Sequence, residues 1–203
     1  MKHRILAAAL VAAFAPTLSH AQEASTASST TVHPMVGMMG TFGGDKLAGV
    51  VFTDGTTSSV TAGGTVYLYG GAEVRPANMP LSFIGTVGYH VSSAGGSNGD
   101  FRFERIPLEL LGVYDAIPHR LRIGAGVRYD TNVNLSSHGV VAGPAITFED
   151  AAGAIVQAEW MVTPHFGIVG RYVSIRYRFD DGAGTTGHVD GSHGGIGVNW
   201  YFM

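Results

Sequence analysis

Eight stretches of this chain put apolar side chains on every second residue, and the connections between them alternate short and long. Period-two alternation is the signature of a strand with two different faces. In Leu121 to Asp130 the residues Leu121, Ile123, Ala125, Val127 and Tyr129 share one face, while Arg122, Gly124, Gly126, Arg128 and Asp130 share the other. The same pattern predicts strands at Val36–Phe42, Val66–Arg75, Leu81–Val91, Arg105–Tyr114, Ala154–Val162, Phe166–Ser174 and His193–Phe202. Phe101 and Phe103 fall out of phase with Ile106, Leu108 and Leu110, which predicts a bulge near Glu104. Strands of roughly nine to eleven residues have the length of a tilted strand crossing a bilayer.

Three connections are short and contain proline: 76–80, 115–119 and 163–165. Proline ends a strand and presets a turn. Those at 43–64, 92–100, 131–153 and 180–192 are longer and polar. The first holds Lys46 to Gly55, which reads as a strand and a turn and predicts a hairpin extending beyond the membrane. Tight turns at one end and long loops at the other is the layout of an outer-membrane barrel. The expected fold is therefore all-β: an eight-stranded antiparallel transmembrane β-barrel, an up-and-down meander.

The N-terminus agrees with export. Lys2 and Arg4 precede the apolar run from Ile5 to Phe14, and Ser19-His20-Ala21 is a small-x-small cleavage site. The expected organisation is a signal peptide over 1–21, a flexible Ser/Thr-rich tail over 22–32 and the barrel over 33–203. Loss of Lys2 and Arg4 with the signal leaves ten basic residues against 15 acidic ones, a formal charge of −5. That balance argues against nucleic acid as a partner. The chain has no cysteine, which excludes disulfides and thiolate metal sites.

Alternation alone does not say which face points inward. A soluble sandwich or lipocalin-like barrel would turn its apolar faces in and its charges out. Composition favours the opposite. Only 13% of residues are charged, too few to cover a water-facing exterior, and 30 are glycine. Aromatics stand at the ends of the apolar faces (Phe42, Phe83, Tyr89, Tyr114, Tyr129, Trp160, Phe166, Tyr172, Trp200 and Phe202), as interfacial girdles do.

Charges pointing into hydrocarbon cost several kcal/mol, so the lumen is left for Glu73, Arg75, Arg105, Glu109, Arg122, Arg128, Asp130, Glu159 and Arg171. Both signs occur, and buried charges need partners. The expected arrangement is a salt-bridged interior that plugs the barrel; a narrow gated pore is the alternative. His188-x-Asp190-x-x-His193 has ligand types that suit zinc or copper, but it lies in a Gly-rich loop, so no metal and no cofactor is expected.

The secretory signal, the eight alternating strands and the ending Ile196-x-Val198-x-Trp200-x-Phe202 resemble the small outer-membrane β-barrel superfamily that includes the OmpA, OmpX and OmpW types. The resemblance covers residues 33–202. Gly43-Gly44-Asp45-x-Leu47-Ala48 and Asp190-Gly191-Ser192-His193 are similar to segments of uncharacterised proteobacterial members. The resemblance implies a monomer in the outer membrane, in contact with lipid and lipopolysaccharide, with a structural or surface-interaction role. An OmpW-like channel for small or apolar solutes is the second reading. It further implies that Ile196, Val198, Trp200 and Phe202 form the signal read by the barrel-assembly machinery, with periplasmic chaperones as partners during biogenesis. Met203 departs from that signal, in which the aromatic is usually last. His90-x-Ser92 resembles the pair of outer-membrane lipid A deacylases, which makes a lipid A-modifying hydrolase the third reading, but the alternation turns His90 inward, where lipid does not reach, so no catalytic residue is expected.

Overall fold

A computed structural model describes residues 30–51, 57–96, 99–139, 146–180 and 186–203. The expected signal peptide and the tail as far as residue 29 lie outside them. Eight strands form the barrel wall: β1 (Thr31–Gly43), β4 (Val66–Arg75), β5 (Leu81–Gly96), β6 (Gly99–Ile117), β7 (Leu121–Gly139), β9 (Ala151–Met161), β10 (Phe166–Asp180) and β12 (His193–Tyr201). Each pairs antiparallel with the next, and β12 returns to β1 from Met35↔Tyr201 to Gly43↔His193. A closed ring leaves no edge for lipid to meet. Thr31 and Val32, assigned to the tail on sequence, belong to β1 because they pair with Arg75 and Val74.

The apolar faces point outward. Ile196 and Val127 are 65% and 61% exposed, and Met38, Leu68, Leu110, Val156 and Ile168 join them on the exterior. This excludes the soluble sandwich with an apolar interior. Along β7 the outward row from Leu121 to Tyr129 spans roughly 26 Å, or about 20 Å along the normal of a strand tilted near 40°. Phe83, Tyr114, Trp160, Trp200 and Phe202 border the belt at the short-turn end, and Phe42, Tyr89, Tyr129 and Tyr172 border it at the other.

The strands run on past the belt. β6 and β7 have 19 residues each, roughly 60 Å of chain, against a hydrocarbon core of about 30 Å. Much of what the sequence suggested as loop at 92–100, 131–153 and 180–192 is therefore strand, with β8 (Ile146–Thr147) on β7 and β11 (Thr186–Asp190) on β10. In this region the alternation reverses. Phe103, Val133, Ile175 and Tyr177 point inward and are buried, whereas Arg102, Ser174, Arg176 and Arg178 point outward. Outside the bilayer the exterior is water, so the same pleat carries the opposite chemistry.

That reversal corrects the reading of Phe101 and Phe103. Phe103 shares the inward face of β6 with Arg105 and Glu109, with no change of phase. A register shift does occur at Glu104/Ile106, but the extra residue is on β7, between Thr131 and Asn134. Asn132 takes a positive φ of 54° there, and Val133 turns into the core.

The hairpin in the first long connection is β2 (Lys46–Val51) paired with β3 (Thr57–Thr61). Its root folds over the barrel mouth rather than simply projecting. Val60 and Ala62 are fully buried, and Ala62 N donates to Asp45 O. Gly64, at φ +79°, lies so close to His90 that a Cβ there would sit 2.2 Å from its Nε2.

Candidate functional site

The inward side chains form stacked layers of charge. Nearest the short turns, Arg122 contacts Glu73, reaches Glu159 at 3.1 Å and Asp115 at 3.3 Å, and donates to Ser82 at 3.1 Å. Arg75, at the mouth, bridges Glu73 and Asp115 at 3.2 Å each. Glu159 also accepts from Asn199 Nδ2 at 2.6 Å and from the Tyr201 hydroxyl. One layer up, Arg171 meets Glu109 at 2.7 Å and donates to Gln157, while Tyr69 donates to Asn199 Oδ1 at 2.6 Å.

Arg128 links the layers. It reaches Glu109 at 3.1 Å, Asp130 at 2.7 Å and His90 Nδ1 at 2.9 Å, and its guanidinium lies 5.0 Å over the Tyr67 ring. Arg105 Nε is 3.2 Å from Asp130, and its guanidinium lies between the Phe103 and Tyr177 rings at 5.1 and 5.6 Å. Tyr177 donates to Asp130. All nine charged residues assigned to the lumen on sequence thus face it, and Asp115 joins them. Five guanidinium groups meet five carboxylates, a formal sum of zero.

Alternation supplied Arg122, Arg128 and Glu159 directly. It missed Asp115, because Asp115-Ala116-Ile117-Pro118 reads as a proline turn whereas β6 continues to Ile117. It missed Tyr177, because the apolar exterior that marks the strand ends at Tyr172. Unbroken parity from Arg171 through Val173 and Ile175 is the signal that would have found it.

The histidine motifs come apart. His193 turns into the lumen, 5.0 Å from the His90 ring and with Nδ1 2.7 Å from Gly191 O, while His188 is exposed on the outer face of β11. Among the described residues no three His, Asp or Glu side chains are placed to hold a metal ion. His90 and Ser92 are both buried facing inward. His90 Nε2 is engaged by Thr41 at 2.9 Å, and Ser92 Oγ lies 3.2 Å from Thr65 Oγ1. Neither is open to a lipid substrate, so the deacylase alternative lacks its site.

In β12, Ile196 and Trp200 are exposed outward and Val198 partly so, with Phe202 exposed just beyond the strand, while Gly195, Asn199 and Tyr201 are buried inward. Met203 lines an open cavity of about 480 Å³ at the short-turn mouth, with Arg75, Asp115 and Tyr201.

No protein-family model and no curated protein matches the chain. Among solved structures it is similar to Ail, the attachment invasion locus protein of Yersinia pestis, crystallised with the heparin analogue sucrose octasulfate. Identity is 12%, covering 84% of this chain and 97% of that one, with a TM-score of 0.48. Neisserial surface protein A is similar at 13% identity, covering 85% and 98%, with a TM-score of 0.43. Both are small eight-stranded outer-membrane barrels.

Proposed function

We propose that the protein is an integral outer-membrane barrel with a structural or surface-interaction role, its lumen closed by its own side chains and its long hairpins on the cell surface. The observation that carries this is the burial of the charge layers. Arg105, Asp130 and Glu159 are 0% exposed, so no water-sized gap touches them at either end of the charge stack. A narrow pore needs a continuous wet path, and a hydrated ion is wider than water. The outward belt supports residence in lipid. The row Ile196, Val198, Trp200 and Phe202 is the segment we assign to the barrel-assembly machinery.

Reconstitution tests both parts. Trp160 and Trp200 face outward, so brominated acyl chains should quench both. Planar bilayers should show no steady conductance. Unquenched tryptophans would refute the membrane reading, and steady ion-selective current altered by Glu109→Ala or Arg128→Ala would establish a pore instead of a plug.

A further inference from the structure

The charge stack divides unevenly. Toward the short turns Arg75 and Arg122 meet Glu73, Asp115 and Glu159, a formal −1. Toward the other end Arg105, Arg128 and Arg171 meet Glu109 and Asp130, a formal +1 with His90 and His193 counted neutral. The negative surplus reaches the open mouth through Asp115 and half-buried Arg75, where water screens it. The positive surplus has no such outlet, because Arg105, Arg128 and Asp130 are all buried.

One side chain carries that surplus. Arg128 spends its donors on Glu109, Asp130 and His90, and Arg171 spends its own on Glu109 and Gln157. Arg105 shares Asp130 through Nε, and Asp130 already accepts from Arg128 and the Tyr177 hydroxyl. Among the described residues neither Nη1 nor Nη2 of Arg105 has a hydrogen-bond acceptor. The Phe103 and Tyr177 rings offer it π faces but no lone pair in the plane of the fork. Buried donors on a full charge are costly to leave unmade. In the same tier, Tyr67 stands opposite His90 and His90 opposite Arg105, and the Tyr67 hydroxyl is a second buried donor without an acceptor. Val60, Ala62, Val133 and Phe148 belong to the apolar cluster around Phe103 and Tyr177, and such surroundings strengthen any charge pairing.

We infer that Arg105 holds a small monovalent anion, a halide of chloride's size, inside the upper lumen. One negative charge brings this tier to zero. A water molecule leaves the surplus in place, and a divalent oxyanion overshoots it. A spherical halide accepts from both Nη groups at once. The inference rests on the closed lumen given under Proposed function and adds what that lumen contains.

Urea titration of the barrel in phospholipid vesicles tests it, with sodium chloride exchanged for sodium gluconate at constant ionic strength. The wild type should gain stability with chloride and level off. A site half-filled at about 10 mM would raise the folded-to-unfolded ratio about tenfold by 0.1 M. General salt effects run the other way, since strongly hydrated, excluded anions favour burial more than chloride does. Arg105→Gln should lose the response. It leaves the tier neutral and Asp130 still paired with Arg128 and Tyr177, so the variant should fold, as unboiled gel mobility would show. Arg102→Gln, at an exposed arginine of the same strand, should keep the response. Crystals of the wild type grown in bromide should show anomalous density at hydrogen-bonding distance from Arg105 Nη1 and Nη2, a readout that needs no variant. A wild type indifferent to chloride, a response that survives Arg105→Gln or disappears in Arg102→Gln, or bromide found only elsewhere would each overturn the inference. Planar bilayers report on the plug separately: a silent barrel without a chloride response would sink the anion site and leave the closed lumen standing.

Discussion

Arg122→Met is the sharpest probe of the lumen. The guanidinium touches Glu73, Glu159 and Asp115, and lies 5.2 Å over the Tyr201 ring. Methionine keeps much of the volume and removes the charge. The layer near the short turns would then hold Arg75 alone against three carboxylates, and its formal charge would go from −1 to −2. Glu159 would retain Asn199 and Tyr201 as donors, and Glu73 would retain Arg75. Removing one partner of a buried ion pair costs about 3–5 kcal/mol, because the remaining charge stays buried. The folded-to-unfolded ratio should fall by roughly two to four orders of magnitude. Urea titration in phospholipid vesicles, read by tryptophan fluorescence, measures it. Arg122→Lys should lose less, since it keeps the charge but not the three-way fork. Combining Arg122→Met with Glu73→Gln and Glu159→Gln should restore much of the loss. An Arg122→Met variant within about 0.5 kcal/mol of the wild type would show these charges to be well hydrated, and the reasoning would be wrong.

Glycine substitutions should divide by face. A Cβ at outward Gly170 meets nothing within 4 Å, so Gly170→Ala should be neutral or stabilising by up to about 1 kcal/mol, whereas at Gly126 it would sit 2.1 Å from the Leu110 carbonyl oxygen, and Gly126→Ala should lower the urea midpoint or abolish folding. Hydrogen bonds from the Ser192 hydroxyl and amide hold the Asp190 carboxyl below its usual range. A depressed carboxylate stabilises above the usual range and loses that contribution as pH falls through its lowered value. Amide exchange at Ser192 should therefore quicken on acidification once corrected for intrinsic rates, and Asp190→Asn should remove the dependence.

How far the sequence could be read followed the solvent outside each strand segment. Within the belt, lipid outside and charge inside give an unambiguous code, and β4 spans the predicted Val66–Arg75. Above the belt water replaces lipid. The outward Ser174, Arg176 and Arg178 then resemble a polar loop, although Ile175 and Tyr177 between them are buried. The hairpin root over the lumen had no periodic signal at all. It depends on Gly43, Gly44 and Gly64 at positive φ, and those glycines are three among thirty in the chain.

The pairing of β1 with β12 also has a kinetic meaning. Its partners are separated by 150 residues at Gly43↔His193 and by 166 at Met35↔Tyr201. Closing a loop of that size costs roughly 3 kcal/mol more entropy than closing a five-residue hairpin turn. Until His193–Tyr201 is in place, β1 and β10 each present a row of unpaired amides and carbonyls, which hydrocarbon does not tolerate. Seven strands are therefore not seven-eighths of a folded barrel. Insertion has to wait for the nine residues of β12 to be delivered, and whatever holds that segment decides when the barrel can close.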